Sequence, residues 1–163
     1  DDVGDEVTRW SPGDRVALTA GKWCGECEFC RDGDPTRCVN FHVIGEHVDG
    51  IHAERAVVSA ENLVSVPDDV DWETAAAAPL VFGTAWRMLV TRGNVRQGED
   101  VLVLGASGGV GHAAVQIASH AGATVYATAS SEEKLEHARA CGADHVIDYT
   151  TSSFASEIRE RTN

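Results

Sequence analysis

The chain has 163 residues, 43% of them hydrophobic, enough for a core within one large domain or two small ones. Its 13 basic residues stand against 26 acidic ones, giving a formal net charge of −13. Such an acidic chain, with lysine only at Lys22 and Lys134, disfavours nucleic acid and anionic membranes as partners and suits a halophilic source. No apolar run approaches the length of a transmembrane helix, and no signal peptide is visible.

The strongest signal in the first half is a group of four cysteines within fifteen residues, spaced C-x2-C-x2-C-x7-C. They are Cys24, Cys27, Cys30 and Cys38. Each two-residue interval lets neighbouring thiolates face one point, and the seven-residue interval returns the fourth. Four thiolates surround Zn²⁺ and leave no open position, so the spacing predicts a structural zinc that helps to fold its own lobe, residues 21–40. The alternatives are an iron–sulfur cluster and two disulfides.

The remaining cysteine and the nearby histidines have weaker patterns. His42, His47 and His52 lack the close spacing that metal chelation needs, so we interpret them as turn and strand-edge residues. Cys141 lies at the end of a predicted helix, before Gly142, and is interpreted as a small buried hydrophobe.

Short strands and an alanine-rich segment are predicted over the rest of the first half. The strands cover Arg15–Ala20, Ala53–Ser59 and Asn62–Pro67. Asp71 is predicted to cap a helix that Pro79 breaks, and a second helix is predicted over Thr84–Arg92, ending at Gly93. No Cys, His, Asp or Glu occurs between residues 74 and 97.

Strands and helices alternate in the second half, as they do in a parallel α/β sheet. The predicted order is strand Val101–Leu104, helix Gly109–Ala121, strand Thr124–Thr128, helix Glu132–Ala140, strand His145–Asp148 and helix Phe154–Arg161. Right-handed crossovers place the three strands side by side. Because the full dinucleotide fold has six strands, we expect this sheet to be its first half.

A glycine-rich turn between the first strand and its helix predicts a dinucleotide site. The residues that fit G-x-G-x-x-G, with alanine first, are Ala106, Ser107, Gly108, Gly109, Val110 and Gly111. Gly108 lets the backbone approach a pyrophosphate, Gly111 lets the helix pack closely on the sheet, and the helix N-terminus supplies N–H groups. A glycine turn without a ligand is the alternative, but the flanking strand and helix favour the cofactor.

The end of the second strand bears on which cofactor binds. NAD-selective units end this strand with Asp or Glu, whereas here it ends in Thr128–Ser131, with Glu132 only in the following helix. Small hydroxyl residues with Lys134 nearby suit a 2′-phosphate, so NADP(H) is predicted over NAD(H). The alternative for Lys134 is a solvated helix residue.

The zinc lobe followed by the glycine turn resembles the pattern of the medium-chain dehydrogenase/reductase superfamily, which includes zinc-type alcohol dehydrogenases and quinone reductases. The resembling segments are VGDEVTRWSPGDRV, the cysteine lobe, DGIHAERAVV, AAAAPLVFGTAWRML and GADHVIDY. The resemblance implies an α/β fold, with part of a GroES-like β domain at residues 1–75 and the N-terminal half of a Rossmann domain at residues 76–163. Ser130, Lys134 and Tyr149 match positions that hold the NADPH 2′-phosphate in quinone reductases, and Thr84 matches a threonine near the nicotinamide.

One departure from the superfamily pattern points to a subclass. Alcohol dehydrogenases with a catalytic zinc take a cysteine ligand from the segment that here is Pro79–Thr84, which has no comparable ligand. Their other usual ligands would precede residue 1. The resemblance therefore implies an NADP(H)-dependent quinone- or enone-reductase-like oxidoreductase with a structural zinc, and no catalytic residue is assigned.

Two other functions stay open. One is a zinc-dependent alcohol dehydrogenase with altered ligands, and the other is a non-catalytic nucleotide-binding or zinc-module protein. For the enzyme, we expect a small-molecule carbonyl, enone or quinone substrate, a cytoplasmic location and, by family resemblance, a homodimer or larger assembly. We also expect the 163 residues to be an inactive piece of a longer protein.

Overall fold

The structure is a computed structural model that describes residues 1–162. Its contacts divide the chain into two compact units, Asp1–Leu80 and a second unit that begins at Val81. The predicted boundary at residues 75–76 lies five residues before this division. No helix of the described residues is long and apolar enough to cross a membrane.

The first unit is built from short strands and turns. Its elements are β1 (Val16–Leu18), β2 (Gly21–Lys22), α1 (Glu28–Arg31), β3 (His42–Val43) and β4 (Leu63–Ser65), with 3-10 turns at Pro35–Arg37 and Ala60–Asn62. Strand β1 pairs with β4 and β2 pairs with β3, both antiparallel. The buried amide of Asn62 donates to the carbonyl oxygens of Thr19 (2.9 Å) and Gly21, and therefore links the end of β1 to β2.

The strand predicted over Ala53–Ser59 is wrong. Residues 53–58 are irregular, and the side chain of Val57 is fully exposed. The alternation of residue types is present, but no neighbouring strand pairs with this stretch within the part of the chain that the structure describes. Without a partner strand, the backbone N–H and C=O groups cannot form inter-strand hydrogen bonds, so the stretch does not form a β-strand.

The helix break predicted at Pro79 is also wrong. Helix α2 runs from Trp72 to Trp86 with Pro79 inside it, and continues as a wider helical turn over Arg87–Arg92. An interior proline costs about 3 kcal/mol. Here the alanine-rich sequence favours the helix, and its later residues Val81, Phe82 and Ala85 pack in the core of the second unit.

The second unit contains the predicted parallel sheet. Its elements are β5 (Asp100–Val103), α3 (Gly109–His120), β6 (Thr124–Ala129), α4 (Glu132–Ala140), β7 (His145–Asp148) and α5 (Phe154–Thr162). The strand order is β5-β6-β7, all parallel, with Val103 opposite Ala127 and Ala129 opposite Asp148. Helix α3 buries Ala113, Ala114, Val115 and Ala118 in the core shared with β6. These small residues bring α3 close to the sheet and fix the position of the glycine turn.

Candidate cofactor and metal sites

The four cysteines of the first unit converge on one point. Cys24 follows β2, Cys27 lies at the N-terminus of α1, Cys30 is inside α1, and Cys38 ends the 3-10 turn that follows. One ligand atom from each lies within 4.8 Å of the others. Local turns therefore bring together residues that are up to 14 positions apart.

Three of the six sulfur–sulfur separations are close to those of a tetrahedral metal site, and all six are within 4.8 Å. The Sγ of Cys24 lies 3.5 Å from that of Cys38 and 4.0 Å from that of Cys30, and the Cys27 and Cys30 sulfurs are 3.5 Å apart. A Zn–S bond of about 2.3 Å in tetrahedral geometry requires sulfurs about 3.8 Å apart. All five cysteines of the chain are free thiols. Their sulfur atoms also accept hydrogen bonds from backbone N–H groups, such as that of Asn40 to Cys38 Sγ at 3.3 Å. The four residues fit a Zn²⁺ ion.

The thiols of this cluster have strongly different proton affinities. Hydrogen bonds from the backbone at Cys30 and Val39 lower the pKa of the Cys27 thiol to about 6. Desolvation raises the pKa of the Cys30 thiol to about 12, and its side-chain hydrogen bond to Cys27 acts in the same direction. Backbone N–H groups of this kind stabilise thiolates, which are the form that binds metal.

The glycine turn of the second unit joins β5 to α3. Gly105 adopts φ = +64°, its N–H faces the Thr128 hydroxyl oxygen at 3.3 Å, and the Ala106 N–H donates to the Thr128 carbonyl at 3.0 Å. The Ala106 side chain is buried, so this residue can offer only its backbone to a ligand. Gly108 is the N-cap of α3, which therefore points its N-terminal N–H groups toward the turn.

Glycine occupies positions 108 and 111 of the turn for different physical reasons. A Cβ on Gly111 would overlap the carbonyl oxygen of Gly105 and lie 2.9 Å from the Ala106 Cα, so Gly111 is required by packing. A Cβ on Gly108 would meet only the Gly105 oxygen, at an ordinary 3.5 Å. A Cβ therefore fits at position 108 without a clash, and glycine there leaves more room for a pyrophosphate to approach the backbone. The turn fits a dinucleotide.

The three residues predicted to hold a 2′-phosphate lie at or beyond the carboxyl ends of β6 and β7. Ser130 follows β6, and Lys134 in α4 donates from Nζ to the Ser130 Oγ at 3.2 Å. Tyr149 follows β7, and its backbone N–H donates to the Ala129 carbonyl at 3.2 Å. Glu132, the first acid after β6, pairs with Arg139 at 2.9 Å.

Thr84, His42 and His47 are the other residues that the sequence raised as candidates. Thr84 is exposed on α2, within a segment that has no comparable metal ligand. His42 and His47 have ring centroids 5.9 Å apart, and the Val43 N–H donates to His47 Nδ1 at 3.0 Å. They form no metal-binding group among residues 1–162.

A second group of side chains close enough together to hold a metal ion was missed in the sequence. Cys141 is partly buried, and its sulfur lies 3.2 Å from Nδ1 of His112 and 3.8 Å from Nε2 of His137. The interpretation of Cys141 as only a small hydrophobe is therefore incomplete. The four-residue spacing of His137 and Cys141 was the available signal, because residues at this spacing share one face of a helical turn.

Two family models match the chain: the alcohol dehydrogenase GroES-like domain over residues 1–68, and the zinc-binding dehydrogenase over residues 109–163. An acryloyl-coenzyme A reductase from Metallosphaera sedula is 42% identical over 98% of this chain and 47% of its own length. The chain belongs to the medium-chain dehydrogenase/reductase superfamily.

Solved structures agree with this family and with the fold. An NAD-dependent alcohol dehydrogenase superposes with a TM-score of 0.94 at 45% identity, covering 98% of this chain and 47% of the other. A cobalt- and zinc-bound thermostable alcohol dehydrogenase from Pyrobaculum aerophilum gives 0.82 at 37% identity, covering 90% and 45%. The predicted partial GroES-like and Rossmann fold is confirmed, and the chain spans about half the length of these relatives.

Proposed function

We propose that the protein is an NADP(H)-dependent oxidoreductase that reduces an enoyl thioester, an enone or a quinone. The observation that carries the proposal is the room at Gly108, at the N-terminus of α3, where an added Cβ would meet only the Gly105 carbonyl oxygen, at 3.5 Å, among the described residues. A phosphate group placed there would meet backbone N–H groups and the positive end of the α3 dipole.

Residues around the turn have distinct binding roles in this proposal. The backbone of Ala106, Ser107, Gly108, Gly109, Val110 and Gly111 binds the pyrophosphate. Ser130, Lys134 and Tyr149 bind the 2′-phosphate, and Thr84 contacts the nicotinamide side. NADPH, when bound, supplies the hydride. The chain binds and orients the cofactor, and we assign no side chain as general acid or base.

The choice of NADP(H) rests on charge at the tip of β6. Lys134 is one of two lysines in the chain and lies 3.2 Å from the Ser130 hydroxyl, whereas Glu132 is paired with Arg139. A cation and hydroxyls favour a phosphate dianion, and an acid that is already paired repels it less.

Two observations support the proposed substrate class: the residue types at positions 79–84 and the name of one similar protein. This segment has no Cys, His, Asp or Glu to bind a catalytic zinc, which needs three protein ligands and an open position. The similar protein from Metallosphaera sedula is an acryloyl-coenzyme A reductase, whose name gives an unsaturated thioester as substrate. An enoyl thioester, enone or quinone is therefore the substrate that we propose.

A structural zinc on Cys24, Cys27, Cys30 and Cys38 is part of the same proposal. Sulfur separations of 3.5–4.0 Å are close to those of a tetrahedral thiolate site. The ion would stabilise a lobe in which only Cys38 among the four is buried. The protein would work in the cytoplasm, where thiols stay reduced, and as a dimer or larger assembly.

The second candidate is a zinc-dependent alcohol dehydrogenase. The solved NAD-dependent alcohol dehydrogenase, with a TM-score of 0.94, favours it. A non-catalytic nucleotide-binding protein is the third. Oxidation of NADPH and NADH by the intact protein, tested against enoyl thioesters, quinones and aldehydes, separates the three.

We expect NADPH consumption with an enoyl thioester, enone or quinone. Aldehyde reduction that is lost when a catalytic zinc is removed would support the second candidate and contradict the first. Nucleotide binding without turnover of any substrate would support the third.

A further inference from the structure

Two histidines and a cysteine from separate elements of the second unit meet beside the glycine turn. His112 lies in the first turn of α3, His137 in the last turn of α4, and Cys141 directly after α4. His112 is 25 positions from His137 and 29 from Cys141, so only the packing of α3 and α4 on the sheet brings them together. The proposed cofactor site uses none of these side chains.

The three donor atoms form a triangle of the size that a metal ion requires. Nδ1 of His112 lies 2.9 Å from Nε2 of His137 and 3.2 Å from Sγ of Cys141, and the third side is 3.8 Å. The point equidistant from the three atoms within their plane is about 2 Å from each, so an ion slightly out of that plane would lie at the usual Zn–N and Zn–S bond lengths of about 2.0–2.3 Å.

The donor atoms favour a transition-metal ion of intermediate softness. Two imidazoles and one thiolate suit Zn²⁺, Co²⁺ or Cu²⁺, whereas Mg²⁺ and Ca²⁺ prefer oxygen. Three protein ligands leave a fourth position, which water can fill because His137 is exposed. His137 lines a surface depression together with Glu133, Lys134 and Glu136, so the site can be reached from solvent.

We propose that His112, His137 and Cys141 form a second zinc site, separate from the four-cysteine cluster, with an open fourth position. The ion would tie the start of α3 to the end of α4. Since α3 begins at the glycine turn and α4 contains Lys134, the ion would hold together two elements of the proposed cofactor site. The metal site does not depend on that cofactor proposal, because its ligands come from the described geometry alone.

A hydrogen-bonded cluster is the competing explanation. One imidazole N–H could donate to the other ring across 2.9 Å, and the Cys141 thiol could donate to an imidazole nitrogen. Such a cluster needs no metal, so metal binding decides between the two.

The test measures metal content of the intact protein and of matched variants. Protein purified with Zn²⁺ is dialysed and analysed for zinc per chain, and then titrated with Co²⁺ after mild chelation. The variants are Cys141→Ser and His137→Ala, and the control is His120→Ala, an exposed histidine on α3 outside the cluster. Because His137 is exposed, His137→Ala is expected to leave the fold intact, which thermal unfolding checks.

We expect the wild type and His120→Ala to bind one more ion than either cluster variant does. We also expect the near-ultraviolet thiolate-to-Co²⁺ band of this site to disappear in Cys141→Ser. Affinity for the second ion should fall by at least roughly 10- to 100-fold when one of three ligands is lost, because even the loss of an outer-shell partner costs that much. Equal zinc content in the wild type, Cys141→Ser and His137→Ala would overturn the proposal, including the case in which a second zinc is bound elsewhere.

Discussion

Gly111 in α3 packs so closely on Gly105, in the turn after β5, that no side chain fits between them. A Cβ there would overlap the Gly105 carbonyl oxygen and lie 2.9 Å from the Ala106 Cα. Both obstacles are backbone atoms, which cannot move aside as a flexible side chain can. We expect Gly111→Ala to lower the free energy of unfolding by about 1–3 kcal/mol, the usual cost of overpacking, as measured by denaturant unfolding. An unchanged stability would contradict this packing.

Gly108 provides the matched comparison, because it lies in the same turn but has space for a Cβ. We expect Gly108→Ala to keep the melting temperature of the wild type and to weaken NADPH binding about tenfold, equivalent to about 1.4 kcal/mol. Fluorescence titration of the cofactor measures the affinity. Unchanged binding in a folded Gly108→Ala variant would argue against a pyrophosphate at this turn.

The hydrogen bond between Lys134 and Ser130, at 3.2 Å, suggests a test of cofactor preference. We expect Lys134→Ala to raise the Kd for NADPH about tenfold and to leave the Kd for NADH unchanged, because only NADPH has the 2′-phosphate. Ser130→Asp should have a larger effect in the same direction, since it adds like charge. Lys22→Ala, at the chain's other lysine, is the control for net charge. Equal losses for both cofactors in Lys134→Ala would contradict the assignment.

Removal of one thiol should separate the two metal sites. We expect Cys38→Ser to lose the zinc of the four-cysteine cluster and to lower the melting temperature, because metal binding contributes directly to folding of such lobes. Cys141→Ser should keep that zinc. Zinc content and thermal unfolding of the intact variants measure both effects, and a Cys38→Ser variant with undiminished zinc would exclude the cluster as a site.

Asp71 should make the stability of α2 depend on pH. Its carboxylate accepts hydrogen bonds from the Thr74 N–H at 2.7 Å and the Thr74 hydroxyl at 3.1 Å, which lower the pKa of Asp71 in the folded protein. A depressed carboxyl pKa adds stability that is complete above the unfolded value of about 4 and is lost as pH falls through the folded value. We therefore expect Asp71→Ala to melt below the wild type at pH 7, with the difference shrinking below about pH 4. A difference that is constant with pH would contradict the charged cap.

Most of the second unit could be predicted from the sequence, because each of its elements has a local signal. Helix Glu132–Ala140 and strand His145–Asp148 have the predicted bounds. In the first unit the cap at Asp71 is where the sequence places it, but two predictions there failed for non-local reasons. Ala53–Ser59 has the residue alternation of a strand without a paired partner, and Pro79 sits in a helix stabilised by tertiary contacts of its later residues.

The sequence by itself determined the four-cysteine cluster and the glycine turn, because in both the spacing along the chain sets the spacing in space. Short turns at Cys24–Cys38 and a tight strand-to-helix connection leave little for distant contacts to decide. Only the tertiary structure decided the meeting of His112 with His137 and Cys141. His112 is 25 or more positions from the other two residues, and the three converge because α3 and α4 pack against the same parallel sheet.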